Sequence, residues 1–159
     1  MPVGPTPAVR AVVTAGIAHE LHSYRHDPES TSFGEEAALA LDVDPMRVYK
    51  TLIVDVGSRL ACAVVAVAVK LDLRALAAVL GAKSAQLAER TVAERATGYV
   101  IGGVSPIGQK RRLATVIDEA SQVWPTIYVS AGRRGLELEV APADLAALTG
   151  GSFAPIGRS

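Results

Sequence analysis

Apolar positions along the chain recur with two periods, and the switches between them mark out the elements. Thr6 followed by Pro7 reads as an N-cap with proline at the first helical position, and Val9, Val12 and Val13 then mark one face of a helix ending at Gly16. After an extended piece over Leu21 to His26, Ser32 and Glu35 form a capping box ahead of Ala37, Ala38, Leu39 and Leu41, which predicts a second helix. Asp44-Pro45 turns the chain. The runs Val48 to Val56 and Leu60 to Val69, joined at Gly57-Ser58, predict a hairpin whose second strand is largely buried and whose first carries Lys50. Leu73, Leu76, Ala77 and Leu80 have helical spacing up to Gly81, and Ser84 with Leu87 and Ala88 predicts another short helix. Thr91 with Glu94 is a further capping box, closed by Gly98, after which a short apolar strand runs into Gly102 and Gly103. Ile127 to Ser130 and Leu136 to Val140 predict two more strands, the second alternating Leu136, Leu138 and Val140 against Glu137 and Glu139, and Pro142 through Leu148 predicts the last helix.

Helices and hairpins are interspersed without a regular βαβ alternation. The expected class is α+β, with a mixed, mainly antiparallel, partly closed β-sheet surrounded by helices. At 159 residues, 50% apolar and 20% charged, residues 1–159 read as a single globular domain without repeats, linkers or low-complexity tracts.

Sixteen basic residues balance sixteen acidic ones. Neutrality argues against a generic nucleic-acid coat, so any contact with phosphates has to come from a local patch. The single cysteine, Cys62, lies in the run LACAVVAVAV, which excludes an internal disulfide and suits a reducing compartment. That run is far shorter than the ~20 residues needed to span a bilayer, and MPVGPTPAVR has no apolar signal region. A cytoplasmic, soluble protein with no membrane association is expected.

Candidate chemistry concentrates in GYVIGGVSPIGQKRR, residues Gly98 to Arg112. Paired glycines at Gly102 and Gly103 let backbone N–H groups approach a carbonyl or phosphate, and Pro106 stiffens the loop. A nucleotide P-loop fails here. Gln109, Lys110 and Arg111 follow Gly108 where Lys and then Ser or Thr are required. Cys62 has no neighbouring base, and His19, His22 and His26 lie near no Ser or Cys nucleophile motif, so a Ser-His-Asp arrangement is disfavoured. The histidines also lack the continuous helix that metal-ligand spacing would need, and no metal is expected. Asp118-Glu119 reads as surface or turn carboxylates, and Trp124-Pro125 as a packed turn.

Four segments in order, Ser32-Phe33-Gly34-Glu35-Glu36-Ala37, Val48-Tyr49-Lys50-Thr51-Leu52, Gly98 to Lys110, and Ser130-Ala131-Gly132-Arg133-Arg134-Gly135-Leu136, resemble the YbaK/EbsC family of prolyl-tRNA editing proteins. The resemblance covers roughly Thr6 to Thr149, and GGVSPIGQK is similar to the branch that deacylates cysteinyl-tRNA(Pro) rather than the alanine-specific branch. It implies a free-standing trans-editing enzyme without cofactor, acting on the acceptor CCA end of mischarged tRNA(Pro) and associated with prolyl-tRNA synthetase. It marks Lys50, Gly102 and Gly103 as the catalytic set, with Tyr24, Phe33, Thr51, Ser105, Pro106, Ser130 and Arg133 binding substrate. The family often carries Asp near the position of Glu137, which is left without a role.

Ester cleavage needs donors waiting for the oxyanion, and the amides around Gly102 and Gly103 suit that task. In the implied mechanism the thiol of the mischarged cysteine attacks its own ester, and the protein mainly orients it, an effect that can reach ~7–11 kcal/mol. Lys50 would hold the terminal adenosine or its phosphate, or polarise the ester, although on pattern alone it reads as an outward-facing strand lysine. Lys110-Arg111-Arg112 and Arg133-Arg134 are solvated charges or phosphate contacts. Two other functions compete: a deacylase of different amino-acid preference, and a non-catalytic module that binds the tRNA acceptor end or a synthetase.

Overall fold

Two β-sheets share one core in the computed structural model, which describes residues 5–159. A three-stranded antiparallel sheet has the order β1 (Glu20–Ser23), β8 (Leu136–Val140), β7 (Ile127–Arg133). A five-stranded mixed sheet has the order β5 (Gln86–Leu87), β2 (Tyr49–Asp55), β3 (Leu60–Ala66), β6 (Ala114–Asp118), β9 (Ser152–Ala154). Here β5, β2 and β3 pair antiparallel, whereas β3, β6 and β9 run parallel. A short ladder of β4 (Lys70–Leu71) with β10 (Gly157–Arg158) secures the C-terminal segment. One parallel bridge, Val48 to Tyr128, joins the two large sheets, which do not close into a barrel. The α+β class therefore holds.

The first helix, α1 (Pro7–Ala15), begins as expected. The Thr6 hydroxyl accepts the Val9 N–H at 3.2 Å and donates to the Ala131 carbonyl, so one cap both starts the helix and ties it to β7. Val9 and Val12 then join Ile53, Val64, Ile117, Val129 and Leu138 in the main core. Cys62 lies in the same core, fully buried. Each such side chain contributes roughly 1.5–3 kcal/mol on burial.

Several local expectations are corrected by tertiary contacts. Ser32 does precede α2 (Phe33–Leu41), but its side chain makes no capping bond. Thr91 lies inside α4 (Arg90–Thr97), whose N-cap is Glu89, and the Glu94 carboxylate accepts the Ile101 N–H at 2.8 Å instead of closing a capping box. The helix expected around Ser84 to Ala88 is instead strand β5, because the open edge of β2 supplies partners: the Ala88 N–H donates to the Ile53 carbonyl at 2.9 Å. The helix before it, α3 (Leu73–Val79), is capped by Asp72 through the Ala75 N–H. Gly98 to Ile101 is a turn and not a strand, fixed by the buried Tyr99, whose hydroxyl donates to the Ile107 carbonyl at 2.7 Å. Asp118 is buried and accepts the Ile156 N–H at 3.4 Å, so only Glu119 of that pair is a surface carboxylate. The final helix, α5 (Pro142–Thr149), ends at Gly150 as its composition requires.

Candidate active site

Strands β2 and β7 start side by side at the Val48–Tyr128 bridge and then part company. A cavity of about 310 Å³ fills the wedge between them, with Lys50, Thr51 and Leu52 on one wall and Ser130 and Glu137 on the other. Tyr24 and the start of α2 cover it, and Ile101, Gly102 and Val104 close its end.

The wedge explains how neighbouring residues of one strand reach one cavity. In β2 the main-chain groups of Val48 and Val56 bond towards β3. The antiparallel alternation therefore turns those of Lys50 and Leu52 the same way and those of Tyr49, Thr51 and Ile53 to the opposite edge. β5 covers that edge only from Ile53 onward. Thr51 is left with its N–H and C=O facing the opening, and its buried hydroxyl has no partner among the described residues. Unpaired polar groups of this kind are costly in an apolar setting and suit a site that is completed by a ligand.

Two ionisable groups face the cavity from opposite walls. Burial lowers the pKa of the half-buried Lys50 ammonium, and the nearby Glu35 carboxylate opposes that shift. Among the described residues no carboxylate lies within 4.0 Å of its nitrogen. Glu137 is 6% exposed, and desolvation pushes its carboxyl up to about 8, so it carries a proton at neutral pH. The Tyr24 phenol is raised to about 12, first by burial and next by Glu137.

Six of the expected site residues, Tyr24, Phe33, Lys50, Thr51, Gly102 and Ser130, line this one cavity. The other four lie outside its lining. The Gly103 N–H already donates to the Val100 carbonyl at 2.9 Å, and an ideal Cβ on Gly103 would stand 2.7 Å from the Arg133 Cα. Gly103 is thus a close-approach position where the loop crosses the β7–β8 turn. Ser105 is fully buried and braces the loop, its hydroxyl accepting the Ile107 N–H and its carbonyl the Gln109 amide. Pro106 is buried beside Ala11 and Leu148, and Arg133 is exposed.

Gly102 has φ +90°, and its N–H has no protein partner among the described residues. Its missing side chain matters for a specific reason. An ideal Cβ there would meet the Arg134 Nε at 2.7 Å and two Phe33 ring carbons at 2.9 Å.

Glu35 and Glu137 are the functional candidates that pattern reasoning missed. Alternation along β8 placed Glu137 towards water, but that face is covered by Tyr24 and the α2 entry. A short strand with one polar position looks the same whether that position meets solvent or a roofed cavity.

The histidines do not converge. His19 bonds the Ile17 carbonyl, His26 lies 2.6 Å from Glu36, and His22 lies 2.9 Å from Glu139, whose other oxygen accepts the Thr126 hydroxyl at 2.5 Å. Glu20, His22 and Glu139 could offer ligand atoms within 4.8 Å of one another, but Arg47 stands 3.7 Å from Glu139 and supplies a positive charge already. Burial pushes the Cys62 thiol up to about 12, which leaves it inert as a nucleophile. Trp124 packs under the Arg47 guanidinium, 5.5 Å from its ring centroid.

Comparison with known proteins shows the family and the fold. A protein of Enterococcus faecalis named EbsC, a proposed Cys-tRNA(Pro)/Cys-tRNA(Cys) deacylase, is 35% identical over 95% of this chain and 92% of its own. A crystal structure of a proposed trans-editing enzyme for prolyl-tRNA synthetase superposes with a TM-score of 0.84 at 25% identity, covering 99% of this chain and all of the other. A hypothetical protein of known structure superposes with a TM-score of 0.85 at 25% identity over 96% of this chain. The profile of the aminoacyl-tRNA editing domain matches residues 26–148, the span that holds both walls of the cavity and its closing loop. The chain belongs to the aminoacyl-tRNA editing domain family.

Proposed function

We propose that this protein is a free-standing editing deacylase that releases cysteine from mischarged Cys-tRNA(Pro). The observation that carries the reading is the convergence of Lys50, the Gly102 N–H and the unpaired Thr51 groups on one cavity that neither a histidine nor a cysteine lines. Among the described residues, no hydroxyl there is hydrogen-bonded to a base. A site with donors but no activated nucleophile suits a substrate that brings its own.

In the reaction, the substrate thiol attacks its own ester carbonyl. A sulfur–carbon bond forms, the ester carbon–oxygen bond breaks, and the thiol proton passes to the departing ribose oxygen, leaving intact tRNA and a cysteine thiolactone. The Gly102 N–H meets the developing oxyanion. Phe33 and Tyr24 hold the aminoacyl group folded onto its ester, and Thr51 binds its polar atoms. Lys50 steadies the terminal adenosine or its phosphate. The relatives' names support this assignment, and one of them supports action alongside prolyl-tRNA synthetase.

Glu137 favours one alternative. A carboxyl near pKa 8 is ionised in a minor fraction of molecules at neutral pH, and that carboxylate inside the cavity is suited to general-base activation of water, which would make the reaction hydrolytic and open it to alanine-charged tRNA(Pro). Deacylation of Cys-, Ser- and Ala-charged tRNA(Pro) distinguishes the two. Substrate-assisted chemistry gives rapid loss of cysteine, far slower loss of serine and none of alanine. Efficient release of alanine refutes it in favour of hydrolysis.

A further inference from the structure

The basic residues of the loop after Gly108 do not reach the cavity, yet they do not scatter into solvent. The Lys110 and Arg111 N–H groups donate to the Thr97 and Ala96 carbonyls, at 2.8 and 3.0 Å, which clamps this segment on the last turn of α4. Lys110 and Arg111 thereby join Arg95 around a surface groove of about 350 Å³. Arg111 also lines a second groove, of about 200 Å³, together with Arg112. Among the described residues, neither groove has a carboxylate in its lining, and none of these four cations makes an ion pair.

We propose that these two grooves form a track for the phosphodiester backbone of the tRNA acceptor arm. Four positive charges around two grooves that share Arg111, with no carboxylate in either lining, concentrate positive charge in a chain with no net charge, and their mutual repulsion is relieved by a polyanion. Satisfying the dipole of α4 does not account for them, since a single cation in the last turn does that and Arg95 already occupies the place. The apolar residues of the larger groove are only Val92 and Ala96, and in the smaller one Pro106, Ile107 and Leu113 are buried, leaving little more than Ala11 and Leu148 as apolar surface to anchor a protein partner.

Position ties the track to the site. Three residues separate Gly98, at the end of α4, from Gly102, at the cavity, a span of at most ~14 Å. Lys110 packs beside Gly98, so it and Arg111 lie within reach of the phosphates that precede a 3′ end held in the cavity. The identity of the bound strand rests on the editing reading, whereas the charge track does not.

The test is binding of uncharged tRNA, followed by fluorescence anisotropy through a salt titration, to the wild-type protein and to the combined variant R95Q/K110Q/R111Q. Because no ester is cleaved, failure of the deacylase assignment leaves this result standing. The variant is expected to weaken binding at least about tenfold and to flatten the slope of log affinity against log salt by about two to three. An unchanged slope in a variant with a wild-type melting curve overturns the proposal. So does capture of polyglutamate by the wild type alone with tRNA binding equal in both, which would make the grooves a protein-docking face. Should the triple variant unfold, R111Q alone must lower the slope by about one.

Discussion

The guanidinium of Arg134 lies 4.8 Å from the centroid of the Phe33 ring, and its Nε and Nη2 both donate to the Ile101 carbonyl, at 2.9 and 2.6 Å. One side chain thus joins the β7–β8 turn, the first residue of α2 and the residue before Gly102. Stacking and a forked charged hydrogen bond together fix the wall and the end of the cavity relative to each other. The bare Cα of Gly102 fits against this pair.

Gly102→Ala should therefore damage activity beyond what one methyl suggests. Its Cβ would press on both Arg134 and Phe33, and alanine at φ +90° is strained in any surroundings. A fall in kcat/KM of about a hundredfold or more is expected, the scale of losing one oxyanion donor. Normal turnover of a folded variant would reduce the loop to a structural turn.

Lys50→Ala should leave the thermal melt nearly unchanged, because Lys50 makes no ion pair among the described residues and fills no core position. Deacylation should drop about a hundredfold. Lys50→Arg should also be impaired, since a planar fork does not replace a compact ammonium in a confined pocket. Near-normal rates for the alanine variant would remove Lys50 from the site.

The raised pKa of Glu137 makes a prediction about stability. An unfolded glutamate ionises around its ordinary 4.5, whereas the folded protein keeps this carboxyl neutral until about 8. Between those values the folded state binds the extra proton, so the contribution is fully present below 4.5 and is lost as pH rises to about 8. The total is on the order of 5 kcal/mol. Urea unfolding at pH 5 and pH 8 should show Glu137→Gln gaining on the wild type at the higher pH. Parallel pH dependence in the two proteins would place Glu137 in water.

Cys62→Ala should cost about 1 kcal/mol of stability, through a small void in a tightly packed strand, and leave the deacylation rate unchanged. A large rate loss at constant substrate affinity would return Cys62 to the chemistry.

Where a signal is local, sequence and structure coincide. The Thr6-Pro7 cap, the Gly57-Ser58 hairpin, the buried run around Cys62 and the Pro142 helix depend on backbone preferences and on which side of an element is apolar. Six of the ten expected site residues line one cavity, a convergence set by the fold and not by local preference, and their roles are those proposed above. The parallel strands β6 and β9 and the short β5 were not legible, because their pairing depends on partners far along the chain.

Chain order and residue type by themselves determine that this is an α+β domain of mixed sheet with a glycine loop, a strand lysine and a neutral overall charge. Only the tertiary structure decides that Gly103 lies against the Arg133 backbone, that Glu137 is roofed over with its carboxyl pushed up to about 8, and that Arg134 braces Phe33 against Ile101. The reason is physical. Hydrogen-bond partners and desolvation are properties of the space between elements, and that space exists only once β2 and β7 have met at Val48 and Tyr128 and separated again.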